Sequence, residues 1–221
     1  MRDLDTLDLR ALAAVYGGAH GAWGPAMLVM TVIGGGWASL ALLPLLAWTR
    51  TRRFGLALAL AIVAQATWVW ALKLVVGRVR PWIALGFPPP FGAPHDGSFP
   101  SGHASGSFCV AAFLAVALPA VPVGWPVAPW RRLLAGATIA LASLVAVSRV
   151  YLGAHFPSDV LAGGLFGACI GAAAGSLYLT RERRRGEADG RGRGKARPTS
   201  TARAARSSAE ESGVERAPKR G

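Results

Sequence analysis

Between Phe54 and Thr180 the chain carries only eight Asp, Glu, Lys or Arg residues: Lys73, Arg78, Arg80, Asp96, Arg131, Arg132, Arg149 and Asp159. Long uncharged runs separate them. A helix of about 20 apolar residues is long enough to cross the hydrocarbon core of a bilayer, and an ionisable side chain placed near such a run is costly unless it faces water or serves a site. The composition, 52% hydrophobic and 16% charged over 221 residues, leaves too little charged surface for a soluble domain of this size. The expected fold is therefore all-α: a polytopic integral membrane helix bundle of about five to six transmembrane helices.

The run from Phe54 to Gly77 is uncharged until Lys73, and its 24 residues span roughly 36 Å at helical rise. Further spans are expected over Trp37 to Trp48, Gly102 to Leu118, Leu133 to Arg149 and Pro157 to Leu179. The last carries Gly163, Gly164, Gly167, Gly171 and Gly175, which permit close helix contacts. Residues 1–33 read as an N-terminal interfacial or partly embedded segment. Leu4, Leu7, Leu9, Leu12 and Val15 give it an amphipathic start, and Ala26 to Ile33 forms a short apolar stretch bounded by glycines. Residues 34–180 form the main domain. From Arg185 on, the chain loses periodicity, so residues 181–221 read as a basic, disordered tail.

The net charge of +13 raises the question of nucleic acid. Its placement argues against one, because 13 Lys and Arg against 6 acidic residues lie in the tail after Leu179, with no aromatic platform among them. A cytoplasmic tail near anionic lipid headgroups is expected instead. Arg50, Arg52 and Arg53, then Arg131 and Arg132, then Arg181 to Arg185 fall on one side when the spans alternate, which marks that side as cytoplasmic. The connection from Arg78 to His103 and the turn from Arg149 to Phe156 then meet on the outer face. Cys109 and Cys169 lie inside apolar runs and read as small hydrophobes rather than a disulfide or a zinc site. Met1 to Arg10 is acidic where a basic leader would begin, so no cleavable signal peptide is expected.

Three groups of residues carry the chemistry. Lys73 and Arg80 stand seven residues apart, two helical turns, just before Pro81. Pro100-Ser101-Gly102-His103 opens an apolar run, and a helix start capped by Ser101 also offers free N–H groups to a phosphate. Ser148 and Arg149 are followed by His155 and, one turn later, Asp159. Each has an ordinary reading: snorkelling cations, a capped helix, a first helical turn. Two histidines and an aspartate also raise a metal site, but Lys73, Arg80 and Arg149 would repel a divalent cation. An anion explains all the charges together.

In this order and at this spacing the three groups resemble the signatures of the type 2 phosphatidic acid phosphatase superfamily, which includes lipid phosphate phosphatases and vanadium haloperoxidases. The likeness covers about Phe54 to Leu179. Membrane members often have six spanning helices, whereas the stretch before Trp37 is short and broken. The resemblance implies that His155 attacks phosphorus and becomes a phosphohistidine, oriented by Asp159. It implies that His103 protonates the leaving oxygen and later activates water. Lys73, Arg80, Arg149, Ser101 and the Gly102 N–H would hold the phosphate oxygens, with no metal and no cofactor. Arg78 reads as a headgroup contact, and His20 and His95 have no comparable setting. The implied partners are a lipid phosphate substrate and membrane lipids, with no specific protein partner. Undecaprenyl diphosphate, phosphatidic acid and phosphatidylglycerol phosphate all fit. A phosphotransferase, or a lipid-phosphate or anion carrier without chemistry, would use the same cations.

Overall fold

The computed structural model describes residues 2–36, 40, 42–88, 96–118 and 128–195. Their order is α1 (Arg2–Val15), α2 (Gly24–Ile33), α3 (Leu42–Ala47), α4 (Arg52–Val76), α5 (Pro81–Ala84), α6 (Gly102–Ala117), α7 (Ala128–Tyr151) and α8 (Pro157–Lys195). No strand occurs among the described residues. The stretches Arg52–Ala84, Trp130–Tyr151 and Pro157–Arg191 are long and apolar enough to cross a membrane, and Gly24–Ile33 and Gly102–Ala117 are shorter apolar helices. Outward-facing Leu60, Trp68, Trp70, Leu74, Leu161 and Leu165 are all exposed, the reverse of a water-facing surface and the form a lipid-facing one takes. The chain is an integral membrane helix bundle.

Contacts divide the chain into two units, Met1–Thr180 and Arg181–Gly221. The first is built on close packing of α4, α6, α7 and α8. Phe54, Leu58 and Ala61 of α4 meet Cys109, Phe113 and Ala117 of α6 and Tyr178 of α8, with Phe54 edge-on to Phe113 at 5.2 Å and to Tyr178 at 5.6 Å. The α8 glycines let two backbones touch. A Cβ on Gly163, Gly167 or Gly171 would collide with the carbonyl oxygens of Ser101, Ser105 and Cys109 in turn, one helical turn apart on each helix. This seam fixes the start of α6 against the start of α8.

Helix ends obey local chemistry. Gly77 closes α4 in the left-handed region at φ 57°, its N–H bonded to the Lys73 carbonyl at 3.0 Å. Arg80 is extended and Pro81 begins α5. Ser101 caps α6, its hydroxyl accepting from Ala104 N at 3.5 Å. Between α7 and α8, the N–H groups of Ala154 and His155 both bond the Arg149 carbonyl, at 3.0 and 3.2 Å, so Arg149 and His155 are folded onto one another.

Three regions differ from, or lie beyond, the sequence reading. α1 does form, but its buried face is Asp8 and Leu12, while Leu7, Leu9 and Val15 stay exposed. Leu12 is 1% exposed because it plugs a cluster with Ala104, Ala146, Val150, Phe156 and Val160. Of the run from Trp37 to Trp48, the described helix is the six-residue α3; Trp37, Ala38, Ser39 and Ala41 lie outside the described residues. In the second unit, the chain expected to lose structure after Arg185 stays helical to Lys195. Arg, Glu, Ala and Lys are adequate helix formers, and Glu182 pairs with Arg185 at 3.5 Å. Residues 196–221, the rest of that tail, lie outside the described residues.

Candidate active site

His155 is 2% exposed and sits in the turn before α8. Arg80 Nη1 donates to its Nε2 at 3.2 Å. A guanidinium can only donate, so Nε2 accepts and the ring proton belongs on Nδ1. Nδ1 faces Asp159 Oδ2 at 3.7 Å and Ser98 Oγ at 3.4 Å. Burial pushes the imidazole pKa down to about 4; the neighbouring Arg80 and Arg149 charges add to this, and Asp159 opposes it. His155 is thus neutral near pH 7, the form in which an imidazole is a nucleophile.

Asp159 is fully buried and each of its oxygens is engaged. Oδ2 accepts from Ser98 Oγ at 2.5 Å and from Phe156 N at 2.9 Å, and Oδ1 accepts from Arg78 Nη1 at 2.7 Å. The Phe156 contact is half of a capping box: the carboxylate at the third helical position of α8 reaches back to the capping residue's N–H. Local helix chemistry therefore aims this carboxylate at the turn carrying His155.

The cations come from three elements. Arg80, 1% exposed, donates to Asp96 Oδ1 at 2.6 Å, to Asp96 O at 2.9 Å and to Ala154 O at 2.9 Å. Lys73 Nζ meets the other Asp96 oxygen at 2.8 Å and Gly97 O at 2.8 Å. Burial works against the Asp96 carboxylate, but the bonds from Lys73 and Arg80 outweigh it and hold its pKa below the usual value. Arg149 is 4% exposed; its Nη1 reaches Thr31 Oγ1 at 3.2 Å, while its buried Nε has no hydrogen-bond partner. A buried donor left without an acceptor is costly, and an arriving phosphate oxygen would satisfy it.

The N-terminus of α6 completes the group. Ser101 is buried, and its N–H bonds Asp159 O at 2.9 Å, tying the two helix starts together. His103, one residue past Gly102, feels the charges of Arg149, His155, Lys73 and Arg80. All eight residues expected at the site thus lie on adjoining helix ends. Among the described residues no three His, Cys, Asp or Glu side chains form a metal-binding group. Behind Gly102 an apolar cavity of about 500 Å³ runs between α2, α4, α6 and α7, lined by Gly34, Ile62, Gln65, Gly106, Val110 and Val145 among others.

Sequence reasoning missed four participants. Arg78, expected at a headgroup, bridges Asp159 and Asp8 (2.8 Å), also bonds Ser158 Oγ (2.7 Å), and lies 4.2 Å over the Phe156 ring. Asp8, Ser98 and Asp96 were passed over. The one signal was an acidic residue four positions before Leu12, together with an Arg that had no assigned counter-charge.

Comparisons with known proteins agree on one family. The family model described as the PAP2 superfamily matches residues 51–183. An undecaprenyl-diphosphatase of Sulfolobus acidocaldarius is 35% identical over 129 residues, 57% of this chain and 56% of that protein, so the chain spans little more than half of its length. A decaprenylphosphoryl-5-phosphoribose phosphatase of Mycobacterium tuberculosis is 36% identical over 154 residues, 68% of this chain and 76% of that one. The fold is similar to the crystal structure of the PAP2-type phosphatidylglycerolphosphate phosphatase from Bacillus subtilis, with TM-score 0.67, 24% identity and coverage of 80% of this chain and 87% of that one. Aquifex aeolicus LpxE aligns with TM-score 0.61 at 26% identity, over 76% and 94%. With a match over more than half its length and three signature groups gathered at adjoining helix ends, the chain belongs to the PAP2 superfamily.

Proposed function

We propose that the protein is a metal-independent membrane phosphatase that hydrolyses a lipid phosphate or diphosphate at the outer membrane face through a phosphohistidine. His155 Nε2 attacks phosphorus as the Nδ1 proton turns to Asp159. The P–O bond to the lipid breaks, and His103, which takes up a proton once the bound phosphate offsets the surrounding cations, supplies it to the leaving oxygen. His103 then takes a proton from water as that water attacks the phosphohistidine, releasing phosphate and the free imidazole. Lys73, Arg80 and Arg149 neutralise the nonreacting oxygens, with the Gly102 N–H and Ser101 at the helix N-terminus.

The observation that carries this reading is a neutral, buried His155 set between Asp159 and Arg80, with further cations beside it and an apolar cavity behind. A pure anion pathway needs the cations but not an imidazole held in one tautomer. Relatives named for undecaprenyl diphosphate and decaprenylphosphoryl-phosphoribose point to a polyprenyl-linked phosphate as substrate. The outer-face assignment rests on the Lys and Arg bias of the opposite loops.

The test is phosphate release from a panel of lipid phosphates by detergent-solubilised protein in EDTA. Activity should persist in chelator, disappear in His155→Ala, and be accompanied by an acid-labile phosphoenzyme in the unsubstituted protein. Full activity of His155→Ala would overturn the nucleophile assignment.

A further inference from the structure

Asp8 lies on α1, before the region that the family match covers, yet it is 7% exposed and takes two hydrogen bonds from Ser158 at the start of α8 and one from Arg78. Its Oδ1 accepts from Ser158 N at 2.9 Å, and its Oδ2 accepts from Arg78 Nη2 at 2.8 Å and from the Ser158 hydroxyl. Ser158 is the second residue of α8, so its N–H is one of the donors that the helix itself leaves unpaired. A carboxylate from a distant helix thus caps α8, where negative charge is favoured by the helix dipole.

Arg78 links this cap to the chemistry. One guanidinium nitrogen holds Asp8 and the other holds both Ser158 Oγ and Asp159 Oδ1. The planar fork fixes the two carboxylates relative to each other, and the stack on Phe156 limits its rotation. Arg78 pins Asp159 Oδ1 while Ser98 Oγ and Phe156 N hold Oδ2, and together they aim Oδ2 toward His155 Nδ1. Without Asp8, the guanidinium charge would fall on Asp159 alone and draw it away from the imidazole. α1 is itself anchored: Leu12 is buried, Tyr16 stacks on Phe87 at 4.1 Å, and the N–H groups of Gly17 and Gly18 bond Tyr151 O at 3.1 Å.

We infer that Asp8 is a positioning residue of the active site, acting through Arg78 to orient the Asp159 and His155 pair, so that α1 is a working part of the phosphatase. This rests on the hydrolase reading above. It extends the machinery from the adjoining helix ends to a helix that a reading of the three signatures leaves out.

The test is steady-state phosphate release in detergent by Asp8→Asn, Asp8→Glu, Arg78→Gln and the Asp8→Asn/Arg78→Gln pair, with kcat and KM measured separately on monodisperse protein. Asp8→Asn should lower kcat on the order of tenfold with KM within about twofold, the loss expected for one charge-assisted bond. Asp8→Glu, which keeps the carboxylate, should retain more kcat than Asp8→Asn. In the Arg78→Gln background the Asp8→Asn change should cost nothing further, because its route to Asp159 is already cut. A purely structural cap would lower thermal stability and leave kcat per folded molecule unchanged. Wild-type kcat in Asp8→Asn, or an equal loss with and without Arg78, would overturn the inference while leaving hydrolysis standing. No phosphate release by the unsubstituted protein from any lipid phosphate would overturn the hydrolase reading, and the role of Asp8 with it.

Discussion

Nδ1 of His155 lies 3.7 Å from Oδ2 of Asp159, one helical turn further on. That separation exceeds a good hydrogen bond, so in the resting site Asp159 acts through its field and through the tautomer it favours. Contacts of this kind tighten when the imidazole becomes cationic. Asp159→Asn keeps the shape but removes the charge that would stabilise a phosphoimidazolium. It also leaves Arg78 without one of its two carboxylates. The expected loss in kcat is about 10² to 10⁴-fold, judged by related general-base arrangements. Phosphate release within tenfold of the unsubstituted protein would show that the pair is not coupled.

The lowered pKa of His155 gives the pH dependence a sign. Its folded value of about 4 lies below the ordinary 6.5, because burial disfavours the charged ring. Between these values the unfolded chain binds more protons than the folded one, so this group's contribution to stability is complete above about pH 6.5 and declines as pH falls toward 4. Activity that depends on the neutral ring should have its acid limb in kcat/KM near pH 4 rather than near 6.5. A pH profile in detergent decides this: an acid limb centred at 6 or above would place His155 in a more polar setting than the one described.

Most of the candidate catalytic group is legible in the chain because its members are local to helix ends. His155 and Asp159 are one turn apart, Ser101 and Gly102 open a helix, and Lys73 and Arg80 bracket the glycine that ends one helix, just before the proline that starts the next. Apolar run length likewise announces α4, α7 and α8. What escaped reading is nonlocal. Arg78 finds Asp8 across 70 positions, and Ser158 finds it across 150. No spacing rule marks such a pair. The burial of Leu12 was hidden for the same reason: its cluster is drawn from α1, α6, α7 and α8, and an amphipathic pattern does not say which of two apolar faces packs inward.

Asp96 occupies two of the cations proposed to hold the phosphate. Its two carboxylate oxygens take Lys73 Nζ at 2.8 Å and Arg80 Nη2 at 2.6 Å, and its side chain is half exposed, so it is able to swing away. An incoming phosphate has to compete with it. Asp96→Asn should therefore raise affinity for anions: inhibition by inorganic phosphate and by vanadate should strengthen, by about tenfold for a charge-assisted pair of this exposure. Inhibition constants measured at fixed ionic strength check this. Unchanged or weaker inhibition would mean that Asp96 instead holds the two cations in place for the substrate.

The cavity behind Gly102 makes a prediction about chain length. Gly102, Gly106 and Val110 follow one another at single-turn spacing along α6 and form one wall, with Gln65 and Ile62 of α4 opposite. A Cβ on Gly106 meets only the tip of Gln65, at an ordinary 3.6 Å, so a larger side chain enters the cavity without moving backbone. Gly106→Leu should exclude two or three methylenes of a lipid tail. At about 0.8 kcal/mol per methylene, this lowers the ratio of kcat/KM for a long-chain over a short-chain phosphate by roughly 15- to 60-fold. The short-chain substrate controls for damage to the phosphate site, because its tail ends before Gly106. Equal losses on both substrates would show that the tail lies elsewhere, against the outer apolar surface of the bundle.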